Sequence, residues 1–408
     1  MGQLLSGVKP NVLVVVLDLP FPAASGSELR NWQTVQALLD VARVGVFGLR
    51  DQVVRAAPCG DIALWGAAQD PTFAQPDKPA SASVDTSAVP AAFSPPLFSL
   101  HAAAKLEASV REFRPDVVIV AQLWLHPYID MLRALGCRVV FDAHNVEAAL
   151  YREVTASEAG GRASRWARLK LAEHMAQIEA AAVARADQVW VCSEADARLV
   201  RKLYHPGAEV QVIPNTVDVA SYERARPQPS AGPTLIFPGL LHYPPNQAAA
   251  LFLIQEVFPR LVERRPAARL LLVGSHPSPA LLDAAHRHPH IVVTGRVPDT
   301  RPYFAQASVM VVPLFQGSGT RYKILEAFAA GLPVVSTAKG VEGLEAMPQT
   351  HFLPAESPED FVDAILRLVT HPDQAQLLAR SGFDLVSERY SLPVARSRIA
   401  AALDRLLS

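Results

Sequence analysis

The 408-residue sequence has only three cysteines, Cys59, Cys137 and Cys192, far apart and in no CxxC pair. Neither a disulfide framework nor a structural zinc site is indicated, and a reducing, cytoplasmic setting fits. Net charge is missing too: 38 Lys+Arg face 39 Asp+Glu, for a formal charge of -1. Wrapping nucleic acid needs a broad cationic surface, so no nucleic-acid partner is expected and small-molecule chemistry becomes the default. Long apolar runs are also absent. The longest early one, Val12 to Leu17, is far short of the roughly 20 residues that span a bilayer. Asp18 and Pro20 close it, so it reads as a buried strand. Met1 to Ser6 formally fits the myristoylation pattern, but such short matches are frequent. The Ala/Arg-rich, Lys-poor composition points to a bacterial source, where that modification is not expected. What is plentiful is apolar side chain, 50% of residues against 19% charged. At roughly 100 to 200 residues per domain, a chain this long divides into two or three cores.

Short β-branched runs alternate with longer amphipathic stretches. In the first half the expected strands are Val12 to Leu17, Val44 to Phe47, Val117 to Val120, Arg138 to Phe141, Gln188 to Val191 and Val210 to Ile213. Helical patterns lie between them at Glu28 to Leu39, Pro127 to Leu135, Trp166 to Ala184 and Glu194 to Tyr204. Near-continuous apolar strands between helices imply an α/β fold with parallel sheets covered on both faces. Residues 214 to 233 interrupt the pattern with Pro, Ser and charge, as a domain connection does. Alternation then resumes with strands Thr234 to Phe237, Arg269 to Val273, Ile291 to Thr294, Val309 to Val312 and Val334 to Ser336, and with helices Asn246 to Arg264 and Arg321 to Ala330. Two doubly wound, Rossmann-like domains are expected, at 1–215 and 216–388, with a final helical segment, 389–408, packing back on the first. Asp70 to Phe98, rich in Pro, Ala and Ser, reads as a long inserted loop.

In doubly wound sheets ligands bind beyond the carboxyl ends of the strands, so the loops there carry the chemistry. After the first strand, Ser25-Gly26-Ser27 precedes a helix whose free amides could face an anion or hydroxyl. It is not the GxGxxG dinucleotide fingerprint. The competing interpretation is an ordinary helix start with Ser27 as the cap and Arg30 in solvent. The strongest local signal is Pro313 to Val335. A strand ends, the loop Gly317-Ser318-Gly319-Thr320 follows, and a helix opens with Arg321, Lys323 and Glu326 in its first turns before Gly331 and Pro333 end it. Glycines let backbone approach a phosphate, the helix N-terminus favours negative charge, and each basic side chain adds a charge-assisted bond. Glu326 would repel phosphates, and a carboxylate suits a vicinal diol such as a ribose. The pattern describes a nucleotide diphosphate site without a GKS/T motif or a metal-ligand set.

These residues resemble the C-terminal signature of retaining GT-B glycosyltransferases of family 4, glycosyl transferases group 1, of the exopolysaccharide and glycan biosynthesis type. Phe141-Asp142-Ala143-His144-Asn145-Val146-Glu147, Val191 to Glu194, Ile213 to Asp218, Phe237-Pro238-Gly239, Val273-Gly274 and Thr294 to Val297 follow in matching order, so the resemblance spans nearly the whole chain. It implies two Rossmann-like domains facing each other across a cleft, closing about Asn215 to Asp218. It makes Glu326 the ribose-binding carboxylate and places the base near the backbone of Arg296 and Val297. Gly26 and Ser27 would approach the diphosphate or donor sugar, His144 would lie near the reacting carbon, and Asp142 could be purely structural. Gly239, Ser318, Gly319 and Thr320 complete the donor contacts.

Two departures stand out. The first of the paired glutamates many members carry is Ser318 here. The stretch Leu240 to Asn246 lacks the Arg and Lys that clamp the diphosphate elsewhere, so Arg321 and Lys323 are the expected substitutes; lysine occurs at only seven positions in the chain. The resemblance implies sugar transfer from a UDP- or GDP-sugar to a hydroxyl of a glycan, a lipid-linked acceptor or a small molecule, without a metal or other cofactor. The acceptor would lie on the N-terminal domain. The run Arg162, Arg165, Trp166, Arg168 and Lys170 is either a solvated helix face or a peripheral contact at the inner face of the cell membrane. Two alternatives stay open on sequence: a nucleotide sugar 2-epimerase-like enzyme, and an inactive nucleotide-sugar-binding protein.

Overall fold

The structure is a computed structural model and describes residues 9–23, 25–51, 53–54, 56–70, 98–157, 162–225, 227, 232–317 and 321–408. Contacts divide the chain into a first unit, residues 1–215 with 395–408, and a second unit, residues 216–394.

The first unit runs β1 (Asn11–Val16), α1 (Gly26–Leu39), β2 (Arg43–Gly48), β3 (Ile62–Ala67), α2 (Leu100–Phe113), β4 (Val117–Ala121), α3 (Ile129–Ala134), β5 (Arg138–Ala143), α4 (Glu147–Ser157), α5 (Arg162–Arg185), β6 (Gln188–Val191), α6 (Glu194–Tyr204) and β7 (Glu209–Val212). All seven strands are parallel, in the order β3-β2-β1-β4-β5-β6-β7, with Val12 beside both Val44 and Val117. Alternate residues of β1 feed opposite cores. Leu13 and Val15 pack with Leu106, Tyr128, Phe141 and Tyr151 on one face, while Val12 and Val14 pack with Leu38 and Trp190 on the other. Both faces are apolar, which is why the strand reads as an unbroken run and not an alternation.

The second unit opens with a 3-10 turn, Val219–Ala225, and continues through β8 (Thr234–Pro238), α7 (Pro244–Phe252), α8 (Phe258–Arg264), β9 (Arg269–Val273), α9 (Pro279–His286), β10 (Ile291–Val293), α10 (Arg301–Phe304), β11 (Val309–Val312), α11 (Tyr322–Ala329), β12 (Val334–Ser336), β13 (Leu353–Pro354), α12 (Pro358–Thr370) and α13 (Pro372–Arg389). Its six strands are again parallel, ordered β10-β9-β8-β11-β12-β13. The single helix expected over Asn246 to Arg264 is divided by a π turn, Leu253–Val257. Pro259, early in α8, has no amide to continue the ladder there. The helix expected from Pro127 likewise begins as a 3-10 turn, Leu123–Tyr128, before α3. The segment read as a domain connection is partly second-unit structure, since Val217 pairs with Ser391 and Tyr222 and Ala225 of the turn 219–225 are buried in the second unit's core. Of the expected long loop, 71–97 lie outside the described residues.

The final helix, α14 (Leu392–Leu407), crosses the contact boundary within itself, at Val394/Ala395. Ala395, Ile399, Ala402, Leu403 and Leu406 fill the first unit's core beside Val12, Val14 and Trp190. Gln188 Nε2 donates to Ala402 O at 3.2 Å, while Trp190 Nε1 donates to Gln188 Oε1 at 2.7 Å, so the polar groups under the helix are paired. Among the described residues no helix is long and apolar enough to cross a membrane.

Leu403 is fully buried. Leu403→Ala is expected to lower the unfolding free energy by about 2 to 5 kcal/mol. Arg405→Ala, which removes an exposed pair with Glu209 at 3.0 Å and an exposed hydrogen bond to Gln211 Oε1 at 3.2 Å, should cost about 0 to 1 kcal/mol. Urea titration followed by tryptophan fluorescence measures both; equal midpoints would mean that α14 is not part of the core.

Candidate functional site

In the second unit, strand order reverses between β8 and β11, the position at which doubly wound sheets bind ligands beyond their carboxyl edge. Gly239 follows β8 with φ of 155°, and Gly274 follows β9. The backbones approach so closely that a Cβ on Gly274 would fall 1.7 Å from the Gly239 carbonyl oxygen. Glycine is therefore obligatory at 274. Lys323, in the first turn of α11, reaches back to this place. Its Nζ donates to Asn246 Oδ1 at 2.8 Å and sits 3.9 Å from the centroid of the Phe237 ring. Asn246 in turn donates through Nδ2 to Leu240 O at 3.0 Å. Lys323 is buried, and no carboxylate of the described residues is within ion-pair distance of it. Burial, reinforced by the charge of Arg321, pushes its ammonium well below the usual lysine range, against a smaller opposing pull from Glu326.

Glu326 lies one turn beyond Lys323. Tyr222 donates its hydroxyl to Glu326 Oε1 at 2.7 Å, and its ring packs edge-on against Phe304. Burial raises the Glu326 carboxyl, opposed by the Tyr222 bond and by Lys323. The same surroundings and the carboxylate's charge hold the Tyr222 phenol far above its ordinary value, so it remains a donor. Asp299 and Arg301 pair at 2.8 Å, and Arg301 Nη1 donates to Ser221 O at 3.4 Å. The loop that carries Arg296 and Val297 is thereby drawn toward the Tyr222–Glu326 pair. Arg321 is the N-cap of α11, one position before the helix, and its guanidinium folds over Gly317.

In the first unit, α1 starts at Gly26, with Ser25 as its cap accepting from Glu28 N at 3.3 Å. The cap is therefore Ser25 and not Ser27, and Gly26 and Ser27 form the first turn. Arg30 is not in solvent; it is 3% exposed. Its Nε donates to Asp142 Oδ2 at 3.1 Å and its Nη2 to Oδ1 at 2.5 Å, while Nη1 donates to Ile213 O at 3.0 Å and Asn215 Oδ1 at 2.9 Å. Burial alone would raise the Asp142 carboxyl. Arg30 and His144 outweigh it and hold the group well below the usual carboxylate range. His144 is buried with Nε2 3.5 Å from Asp142 Oδ2, a long contact that falls short of a hydrogen bond, and neither ring nitrogen has a partner among the described residues. Burial lowers the imidazole below the ordinary histidine value, with Asp142 opposing.

The loop 142–147 is fixed from behind. Glu179, on α5, accepts the amides of Glu147 at 2.8 Å and Ala148 at 3.1 Å, and the Tyr204 hydroxyl donates to it at 2.5 Å. This carboxylate caps the start of α4 from a distant helix. Burial pushes its pKa up to about 7, with the nearby Glu147 adding to the rise and the three donors resisting it.

Of the expected site residues, the second unit brings together Gly239, Arg321, Lys323 and Glu326, and the first holds Gly26, Ser27 and His144. Ser318, Gly319 and Thr320 lie outside the described residues. Trp166 and Leu169 are exposed on α5, and Lys170 there pairs with Glu173 at 2.8 Å. Sequence reasoning missed Arg30, Tyr222 and Asn246. An arginine turned inward from an amphipathic helix has no local signature, and Tyr222 lies in the stretch taken for a connection. Asn246 ends the stretch Leu240 to Asn246, whose only sequence signal is its lack of Arg and Lys. Among the described residues no three His, Cys, Asp or Glu side chains come together as a metal-ligand group.

The chain is similar to known proteins in sequence and in fold. Residues 66–221 match the family model described as Glycosyltransferase Family 4, and residues 232–371 match Glycosyl transferases group 1. The phosphatidyl-myo-inositol mannosyltransferases of Mycobacterium tuberculosis and Mycobacterium bovis are 33% identical over 137 residues, which is 32% of this chain and 35% of each relative. The chain thus matches about a third of the length of these curated relatives. Among solved structures it is similar to sucrose-phosphate synthase from Thermosynechococcus elongatus, with a TM-score of 0.72 at 17% identity over 98% of this chain and 99% of that one. It is also similar to HepE of Anabaena in complex with UDP, with a TM-score of 0.67 at 14% identity over 97% and 100%. The fold is α/β of the GT-B type, with two parallel-sheet Rossmann-like domains, and both halves of the chain match glycosyltransferase family models.

Glu179 makes stability depend on pH in a definite direction. Its folded pKa of about 7 exceeds the ordinary 4.5, so the folded state holds the proton more tightly. That contribution is complete below the unfolded value and fades as pH rises through 7. Relative to Glu179→Gln, the wild-type chain should lose about 2 to 3 kcal/mol between pH 5 and 8. Parallel denaturation curves for the two proteins across that range would contradict the assignment.

Proposed function

We propose that this chain, whose halves match two glycosyltransferase family models, is an enzyme that transfers a sugar from a nucleoside diphosphate sugar, UDP- or GDP-linked, to an acceptor hydroxyl with retention at the anomeric carbon. The observation that carries this is Lys323. A buried amine held by a neutral amide and an aromatic face, with no carboxylate of the described residues in ion-pair contact, is costly to protonate, and burial with Arg321 beside it holds the group well below the usual lysine range. An anion arriving at Gly239 would supply the missing partner. With Arg321 two residues before Lys323 and the amides at the start of α11, the second unit has the groups a diphosphate needs. Glu326, braced on one oxygen by Tyr222, would accept the ribose hydroxyls, and the backbone at Arg296 and Val297 would flank the base.

In the reaction the bond between the anomeric carbon and the diphosphate oxygen breaks, and the diphosphate leaves with the electron pair. Positive charge develops on the sugar ring, and negative charge grows on the oxygens facing Lys323 and Arg321, where it is stabilised most in the transition state. The acceptor hydroxyl forms the new bond on the face the diphosphate left. Its proton passes to the departing diphosphate oxygen, so no protein base and no metal is needed. His144, kept neutral by burial, contributes by hydrogen bonding to the sugar near the reacting carbon, and Gly26 and Ser27 offer the first-turn amides of α1. Ser318, Gly319 and Thr320 complete the donor contacts in this proposal. The acceptor is a hydroxyl of a glycan, a lipid-linked sugar or a small molecule, bound by the first unit.

Lys323→Met separates ligand binding from structure. It removes a buried polar amine and keeps the volume, so the unliganded protein should melt at the same or a higher temperature. Affinity for UDP and GDP should fall by about 10- to 100-fold, the loss of one charge-assisted bond. Glu326→Ala should weaken both nucleotides and leave inorganic pyrophosphate binding nearly unchanged. Calorimetry with UDP, GDP and pyrophosphate reads each outcome; wild-type affinity in Lys323→Met would overturn the diphosphate assignment.

A further inference from the structure

Arg30 and Asp142 form a buried ion pair, and stability alone does not explain it. Replacing such a pair by apolar side chains is often neutral or stabilising, because desolvation consumes the Coulombic gain. The geometry around the pair is specific. Arg30 Nε and the His144 ring share one carboxylate oxygen, Oδ2, at 3.1 and 3.5 Å, while Nη2 takes the other oxygen. The remaining guanidinium nitrogen is tied to Ile213 O and Asn215 Oδ1. The fork is thus fixed at three places, and the carboxylate plane is fixed with it.

We propose that Arg30 is a positioning residue that acts through Asp142 to hold the His144 imidazole in one neutral tautomer, with its proton on Nε2 facing the carboxylate and the lone pair of Nδ1 presented to a ligand hydroxyl. The argument is electrostatic. A buried carboxylate alone beside an imidazole draws a second proton onto the ring and makes an imidazolium. With the guanidinium clamped across both oxygens, Arg30 and Asp142 together carry no net charge, so the carboxylate still attracts an N–H but has no excess charge to protonate the ring. The other charged groups nearby do not reverse this. Glu147 at the start of α4 and Asp196 at the start of α6 act on the Cys192 thiol between them, and Glu179 on α5 is engaged with two amides and Tyr204. The thiol itself donates to the His144 carbonyl at 3.1 Å, fixing the backbone and leaving the ring free. Both ring nitrogens are buried without a hydrogen-bond partner among the described residues, but Nε2 lies 3.5 Å from Asp142 Oδ2, which leaves Nδ1 as the nitrogen open to a ligand. A hydroxyl donor, which a sugar supplies and the fully ionised diphosphate of a nucleotide sugar does not, is the ligand chemistry that completes it.

This assignment rests on the proposed placement of His144 beside the sugar, but its test requires no sugar. Nitrogen-15 spectra of histidine-labelled full-length protein, with His144→Gln to assign the signal, report the charge and tautomer of the ring directly. The wild type at pH 7 should show a neutral ring with the proton on Nε2. Arg30→Met should bring imidazolium character at the same pH, whereas Arg30→Lys should keep the ring neutral. Asp142→Asn should leave it neutral but mix the tautomers. A wild-type ring that is imidazolium at pH 7, or that carries its proton on Nδ1, overturns the proposal without any variant, so it stays decidable if Arg30→Met fails to fold. An unchanged spectrum in folded Arg30→Met overturns it as well. If the spectra behave as expected but no nucleotide sugar binds, the glycosyl-transfer assignment fails and the role of Arg30 stands.

Discussion

A parallel strand pair cannot be closed by a tight turn, so every strand in both sheets hands its chain to a crossover and returns on the same edge. Polar chemistry in such a fold collects at the carboxyl ends, and most of all where strand order reverses. The reversals here fall between β1 and β4 and between β8 and β11. From the second come Gly239, the helix that bears Lys323 and Glu326, and the close backbone approach at Gly274. From the first comes α1, whose Arg30 passes beneath the sheet edge to the end of β5, where Asp142 and His144 emerge. The site residues are far apart in sequence for this reason alone: one edge gathers loops from the whole unit.

The two units handle buried charge in opposite ways. In the first, the Arg30 fork cancels Asp142 with two hydrogen bonds and spreads its remaining donors over Ile213 and Asn215. Nothing there calls for an external ion. In the second, Lys323 is held by Asn246 and the Phe237 ring, both uncharged. A paired buried charge indicates a fixed framework, whereas an uncompensated one indicates a place kept for something that arrives. The contrast explains why the anion is assigned to the second unit and a neutral hydroxyl to the first.

The alternating architecture was legible because buried parallel strands are continuous apolar runs, and Val12 to Leu17, Arg269 to Val273 and Val309 to Val312 could hardly be anything else. The loop from Gly317 and the helix after it were legible because glycine, basic residues and a carboxylate coincide within ten residues. What escaped was set by tertiary contact. β3 is a half-exposed edge strand, so its run is weaker. The π turn at Leu253–Val257 depends on how Pro259 breaks a helix whose periodicity continues on both sides. Arg30 looks like any polar residue on an amphipathic helix until Asp142, far along the chain, takes its place under it. Tyr222 lay in a stretch whose composition is that of a connection, and only packing against Phe304 and Glu326 shows that the segment already belongs to the second unit.

Lys323 also stands at the wrong end of its helix. It is the second residue of α11, where the positive end of the dipole opposes a cation by about 0.3 to 1 kcal/mol, and more when the site is partly buried. Burial and the neighbouring Arg321 oppose it further. Three independent unfavourable effects fall on one side chain, and helix propensity or packing would be served as well by methionine. A diphosphate reverses the sign of all three at once, because the dipole, the second cation and the low dielectric each strengthen attraction to an anion as much as they oppose the lone ammonium. In the proposed function, a chain whose formal charge is -1 takes a strongly anionic donor because of where its cationic groups are placed, not because of how many it has.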